Sequence, residues 1–270
     1  MVIEILIILF DFAFTAGMTY LIPVGHYYHY WAPFLLLIGG YILGLALTWI
    51  LLSIYCQIYK KDKEYNKPSK IANFWLCQSI GYINHHGGAI VKIKQNEPFP
   101  SGRFLLICNH ISKFDPMILA EKYGHLGLAF ISKPTNFKIP IGGHLMAASC
   151  YLSIDRYDKL KSLEVINKAI DLINNNRCSI GVFPEGTRGD DPINMGEFHE
   201  GVFTIAKKTN VPIVVTTIKG SEMIHKNFPK KFTKVKLNIL KVIYPNDYQE
   251  KNVKQISDYC YKIMSEDLKG

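Results

Sequence analysis

Residues 108–116 read Cys-Asn-His-Ile-Ser-Lys-Phe-Asp-Pro and follow directly on the apolar run Phe104-Leu105-Leu106-Ile107. His110 and Asp115 stand five positions apart, just past what the sequence predicts to be a buried strand. In open α/β sheets, chemistry collects at the carboxyl ends of strands. If Asp115 accepts a hydrogen bond from one ring nitrogen of His110, it fixes the tautomer and raises the basicity of the other nitrogen. That nitrogen can then take a proton from a substrate hydroxyl. Two competing readings use the same residues. Asp115 precedes Pro116, a residue suited to the first position of a helix, so Asp115 can serve as an N-cap. Cys108 can form a Cys–His acyl-enzyme, although a thiol on the apolar side of a strand is inert.

Three further stretches follow strand-like runs. Val-Phe-Pro-Glu-Gly-Thr-Arg-Gly, residues 182–189, offers turn amides and the Arg188 fork, a shape suited to phosphate. Tyr-Leu-Ser-Ile-Asp-Arg ends in Arg156, and the preceding Ser132–Gly143 segment carries Lys133 and Lys138. Asn-Val-Pro-Ile-Val-Val-Thr-Thr-Ile, residues 210–218, reads as a buried structural strand. Taken singly, each turn is an ordinary loop with a solvated cation.

The elements that must position these residues are legible from periodicity. Strands are expected near 89–94, 103–108, 127–132, 150–155, 178–183, 211–217 and 234–243. Helices are expected near 114–123, 141–148, 158–175, 199–209 and 248–266. Leu160, Leu163, Ile166, Ile170 and Ile173 form one apolar stripe at steps of three and four. A mainly apolar helix from Ile71 onward suits a membrane surface, and the His85-His86-Gly87-Gly88 run reads as a turn. Uniformly apolar strands indicate a sheet covered on both faces. The fold class is α/β: a mixed, mostly parallel sheet flanked by helices, in a domain spanning 60–270.

Residues 1–59 hold no Lys or Arg, and two apolar runs there are each long enough to span a bilayer. The aromatic segment Gly25–Trp31 lies between them, and Lys60–Lys70 follows with five lysines against one Asp and one Glu. This pattern predicts an N-terminal membrane-embedded two-helix hairpin whose following segment is cytoplasmic. Glu4, Asp11 and the Gly39-Gly40 pair leave open a hairpin that enters only one leaflet. The net charge of +9, from 31 Lys+Arg against 22 Asp+Glu, suits anionic partners. The basic residues are dispersed rather than clustered with aromatics, which argues against a nucleic-acid partner. The six cysteines show neither CxxC pairs nor zinc-ligand spacing, so a reducing compartment and no metal are expected.

In combination these stretches carry more. NHxxxxD, a strand ending in Ile-Asp-Arg, FPEGTR about 75 residues after the first motif, then VPIV, in this order, resemble the glycerolipid acyltransferase family. The likeness is greatest to its bacterial 1-acyl-sn-glycerol-3-phosphate acyltransferase branch and covers roughly residues 70–245. The resemblance implies transfer of a fatty acyl group from an acyl-carrier-protein or coenzyme A thioester to the sn-2 hydroxyl of lysophosphatidic acid. It implies no cofactor and no metal, and partners limited to the thioester donor, the lipid acceptor and an anionic phospholipid surface. It assigns His110 as general base and Asp115 as its orienting partner, with Asn109 and Ser112 shaping their loop. Arg156 and Arg188 would bind the acceptor phosphate, Lys138 matches a lysine before Ile-Pro, and Glu185, Gly186 and Thr187 would shape the acceptor pocket. The chain departs from the pattern at Gly189, His199 and Val215, and Asp190 and Asp191 bring acid near the phosphate site. Those departures keep open another acceptor, glycerol-3-phosphate or a lysophospholipid. A membrane-anchored binder of lipid phosphate without turnover is the reading from another class.

Overall fold

The computed structural model describes residues 2–21, 31–155 and 158–270. The chain divides into two units, 1–59 and 60–270.

The first unit is a pair of helices, α1 (Val2–Leu21) and α2 (Ala32–Cys56). Both are long and apolar enough to cross a membrane. Leu9, Phe12, Leu35, Ile38, Ile42 and Leu51 are all exposed. A helix that is apolar all round needs an apolar solvent or a core around it. Only one stripe is covered, and glycine builds it. A Cβ at Gly40 would come 2.4 Å from Asp11 Oδ1, and one at Gly44 would come 2.9 Å from Phe10 Cδ1. Small residues four apart let two helix backbones approach closely, as membrane helix pairs do. Gly40 and Gly44 are therefore the packing surface, and the Gly39-Gly40 pair is no break, because α2 runs through it without interruption. The two acids of α1 turn toward α2: Tyr41 Oη donates to Glu4 at 3.4 Å, and Asp11 is buried beside Gly40. Of the aromatic segment expected at 25–31, residues 25–30 fall outside the described residues, and Trp31 is exposed.

The second unit is a seven-stranded sheet in the order β1-β7-β6-β2-β5-β3-β4. Its strands are β1 (Ala89–Gln95), β2 (Leu105–Cys108), β3 (Leu128–Ser132), β4 (Leu152–Ser153), β5 (Ser179–Val182), β6 (Ile213–Lys219) and β7 (Thr233–Ile243). All neighbouring pairs are parallel except β6 with β7. The mixed, mostly parallel sheet matches the expectation from sequence. Every residue of β2 and β5 is buried, as uniformly apolar central strands must be. Helices α3 (Lys70–His86), α4 (Asp115–Tyr123) and α5 (Gly142–Ala148) pack together. A second group consists of α6 (Lys159–Asn174), α7 (Thr204–Thr209) and α10 (Val253–Lys269), with single turns α8 (Ile224–Asn227) and α9 (Pro245–Tyr248) between.

Three local expectations are corrected. His85 and His86 close the last turn of α3, and the turn itself is Gly87-Gly88. The helix expected at 199–209 is a 3-10 turn, Glu200–Phe203, followed by α7. The stripe on α6 is buried only in its C-terminal half. Ile170 and Ile173 are 8% and 4% exposed, but Leu160 and Leu163 are 75% and 54% exposed. The strand before α6, β4, has only two residues, so little sheet lies beneath the helix start.

Because β2, β5 and β6 are parallel neighbours, their carboxyl ends share one edge of the sheet. Asn109-His110, Phe183–Glu185 and Gly220-Ser221 emerge there together. That edge holds the site.

Candidate active site

His110 leaves the end of β2 with its backbone tied on both sides to the loop after β5. Its N–H donates to Glu185 Oε1 at 2.7 Å, and its carbonyl accepts from Gly189 N–H at 2.8 Å. The imidazole stacks on Phe183, with centroids 4.3 Å apart and an interplanar angle of 28°. His110 Nδ1 lies 2.9 Å from Asp115 Oδ2. The same carboxylate oxygen accepts from the backbone N–H groups of Ile111 and Ser112, both at 2.7 Å. Oδ1 accepts from the hydroxyl of Ser221, which arrives from the end of β6. Asp115 is fully buried while the His110 side chain is 14% exposed. A buried carboxylate with this many donors has both its oxygens satisfied.

This geometry bears on the two competing readings of the same residues. Asp115 is the first residue of α4 but does not cap it. Its oxygens point back to the loop, and the capping position, held by Phe114, makes no side-chain cap bond. Cys108 is fully buried, and burial pushes its thiol well above the usual range. A thiol held in that form is a poor nucleophile.

The neighbouring residues hold the loop in place. Asn109 pairs its whole side-chain amide with Ile218 of β6, donating to its carbonyl at 3.0 Å and accepting from its N–H at 2.8 Å. The amide thus extends the sheet pairing by one step past the end of β2. Ser112 is buried, and its Oγ accepts from Phe114 N–H at 3.2 Å. Glu185, also buried, uses its second oxygen to hold Gly196 N–H at 2.9 Å, which closes the Gly189–Gly196 loop against the site. Burial pushes the Glu185 carboxyl up, against the lowering effect of the bonds from His110 and Gly196. Gly186 has φ +71°, and a Cβ there would meet the His199 ring at 2.5 Å, so the turn requires glycine. Thr187 and Arg188 are exposed.

The structure therefore brings together Asn109, His110, Ser112, Asp115 and Glu185, with Gly186, Thr187 and Arg188 on the adjoining turn. Lys138 has a surrounding of its own. It lines a cavity of about 400 Å³ with Tyr65, Phe137, Tyr151 and Lys168, to which neither His110 nor Arg188 contributes. Arg156 falls outside the described residues. Among the described residues, no cluster of three or more His, Cys, Asp and Glu could hold a metal ion. Sequence reasoning passed over Phe183 and Ser221. The signal that could have found both is topological. Each stands at the carboxyl end of a strand adjacent to β2.

Residues 90–219 match the family model described as Acyltransferase. A 1-acyl-sn-glycerol-3-phosphate acyltransferase of Chlamydomonas reinhardtii is 28% identical over 201 residues, 73% of this chain and 57% of its own length. A protein of the same name from Escherichia coli is 26% identical over 224 residues, 80% of this chain and 85% of its own. The chain spans about half the length of the first relatives that it matches. The crystal structure of the 1-acyl-sn-glycerophosphate (LPA) acyltransferase PlsC from Thermotoga maritima aligns with a TM-score of 0.57 at 22% identity. It covers 74% of this chain and 78% of that one, and the likeness is one of fold.

Proposed function

We propose that this chain, whose residues 90–219 form an acyltransferase-family domain, transfers a fatty acyl group from a thioester to the sn-2 hydroxyl of lysophosphatidic acid. The observation that carries the reading is the His110–Asp115 pair, with Nδ1 held by a buried carboxylate. Nε2 is then the nitrogen left to work. It accepts the proton of the acceptor hydroxyl as that oxygen attacks the thioester carbonyl. The carbon–sulfur bond breaks, and the imidazolium returns the proton to the departing thiolate. The products are phosphatidic acid and the free thiol of acyl-carrier protein or coenzyme A, and no metal or resident cofactor takes part. Placement of a general base accounts for about 10²- to 10⁴-fold, so positioning of the two substrates must supply much of the remainder. Arg188, with Arg156, binds the acceptor phosphate, and Lys138 belongs to the same reading only if the lipid reaches its cavity.

The hairpin places the chain in the cell membrane, where the acceptor resides. The lysine run 60–70 after α2 supports a cytoplasmic side for the 60–270 domain. One observation favours a second acceptor. The loop bearing Asp190 and Asp191 is fastened at its two ends to His110 and Glu185, and Asp191 accepts from Ile193 and Asn194 within it, so the loop brings two acidic residues into the neighbourhood of the site. Their repulsion of a phosphomonoester would favour a lysophospholipid with a zwitterionic head.

The test is thiol release from acyl-carrier-protein and coenzyme A thioesters by the full chain in detergent. The acceptor would be lysophosphatidic acid, glycerol-3-phosphate or lysophosphatidylcholine, with His110→Ala beside the wild type. Release with lysophosphatidic acid alone, lost in the variant, is the expected result. Release with lysophosphatidylcholine alone would transfer the reading to the zwitterionic acceptor. A folded wild type that releases no thiol with any pair would overturn acyl transfer and leave a lipid-phosphate binder.

A further inference from the structure

Asp115 Oδ2 is crowded with donors, whereas the partner of Oδ1 is one hydroxyl from a distant part of the chain. Ser221 lies 106 residues beyond Asp115 and is completely buried. Its place is fixed by the turn that ends β6. Gly220 has φ +86°, and a Cβ there would meet the Lys234 carbonyl of β7 at 2.8 Å. Only glycine fits, and the turn aims the next side chain back across the edge of the sheet toward β2. The Ser221 hydroxyl then has a buried carboxylate oxygen as its acceptor, and that oxygen has lost its water.

We infer that Ser221 is a positioning residue of the proposed reaction, holding the Asp115 carboxylate in the orientation and charge state that keep His110 ready as a base. The inference rests on the reading of His110 as that base. A carboxylate held only along Oδ2 can pivot about its Cβ–Cγ bond. A donor on Oδ1 removes that freedom and keeps Oδ2 on Nδ1. The donor also stabilises the unprotonated His–Asp pair more than the protonated one, because the hydroxyl bonds more strongly to the full anion. Loss of the hydroxyl therefore lets the pair take up its proton at higher pH, whichever member carries it. Among the described residues, Glu185 from the loop after β5, which is buried, and Cys108 on β2, whose thiol burial pushes up, are in electrostatic reach of Asp115. On the same loop Lys113 lies over the Phe114 ring at 5.6 Å. None of these is altered by a change at Ser221, so the direction of the shift belongs to the hydroxyl.

The experiment compares the wild type with Ser221→Ala, Ser221→Thr and Ser221→Cys in the full chain. It measures labelled phospholipid product between about pH 5 and pH 9, the range in which a histidine-based site titrates. Thermal melts of each variant run alongside. Ser221→Ala should lower kcat about tenfold, the loss that one unsatisfied buried acceptor is worth. The acceptor KM should hold, and the acid limb of the pH profile should move to higher pH. Ser221→Cys keeps the volume and weakens the donor, so it should shift the acid limb in the same direction. It also gives a reading if the alanine variant does not fold. Ser221→Thr keeps a hydroxyl and should restore the acid limb. An acid limb unmoved in both Ala and Cys variants, with only the melting temperature changed, would reduce Ser221 to packing and overturn the inference alone. A wild type without turnover on any acceptor would overturn the reading of His110 and this inference with it.

Discussion

At the scale of single residues, the site is two carboxylates held in opposite ways. Asp115 is fully buried and accepts from His110, Ile111, Ser112 and Ser221, so its carboxyl group is held still from both sides. His110 and Asp115 should therefore act as one unit. His110→Ala should lower kcat about 10²- to 10⁴-fold, and Asp115→Asn should do comparable damage by turning a donor toward the Ile111 and Ser112 amides. The double variant should be little worse than either single one, because residues that act together are strongly non-additive. Additive losses in a kinetic double-mutant cycle would separate the two roles. Glu185 is the other case, a carboxyl that burial pushes up while two backbone amides hold it. Its native form keeps a proton at pH values where the unfolded chain has released it. In that window, above the ordinary glutamate value, the native state binds more protons and stability falls as pH rises. Thermal melts between about pH 4.5 and pH 7 should show that fall in the wild type, and Glu185→Gln should lack the slope.

At the scale of elements, the site depends on strands being tied past their formal ends. Asn109 continues the β2–β6 pairing with its side chain, so Asn109→Ala leaves the Ile218 N–H and carbonyl without their partner. The expected cost is about 1–3 kcal/mol for each group stranded in the buried edge. A urea titration should show a lower midpoint with an unchanged slope. The elements themselves were largely legible in the sequence, because alternation and buried apolar runs report local periodicity directly. The error on α6 has a plain physical cause. The stripe on α6 runs through Leu160 and Leu163, but burial depends on what lies beneath, and a two-residue β4 offers little cover. The site was legible only as far as its motifs were. His110 and Asp115 announce themselves by spacing. Ser221 does not, because Gly-Ser is common in turns and its partner is 106 residues away. Lys138 was grouped with the site by likeness of motif alone, and its side chain lines a cavity with Tyr65, Phe137 and Lys168. The hairpin shows the same contrast between composition and packing. Gly39 and Gly40 look alike in sequence, yet a Cβ at Gly39 meets nothing within 4 Å while one at Gly40 meets Asp11 and Phe14. Gly40→Leu should therefore destabilise the detergent-solubilised protein by about 1–3 kcal/mol, whereas Gly39→Leu should be close to neutral.

At the scale of the whole molecule, the chain is an apolar helical pair and an α/β unit with its own core. Phe104, Leu105, Leu106 and Ile107 on and before β2, with Ile213, Val214 and Val215 on β6, are all buried within 60–270. This core supplies most of what a cooperative fold requires, at about 1.5–3 kcal/mol for each large side chain fully removed from water. The fragment Lys60–Gly270 should accordingly keep a cooperative thermal transition. The hairpin makes a different contribution. Its exposed Leu, Ile and Phe side chains have no favourable place in water, and a bilayer removes that cost. If its purpose is to keep the site where a lipid acceptor is concentrated, removing it should matter only when the acceptor is in a membrane. Turnover of the fragment on lysophosphatidic acid in vesicles should collapse relative to the full chain. Turnover on a short-chain acceptor dissolved as monomers should be largely retained, because the His110–Asp115 pair and its supports all lie beyond residue 60. Equal loss on both acceptors would mean that the hairpin shapes the site itself. Equal retention on both would remove it from catalysis and leave it an anchor.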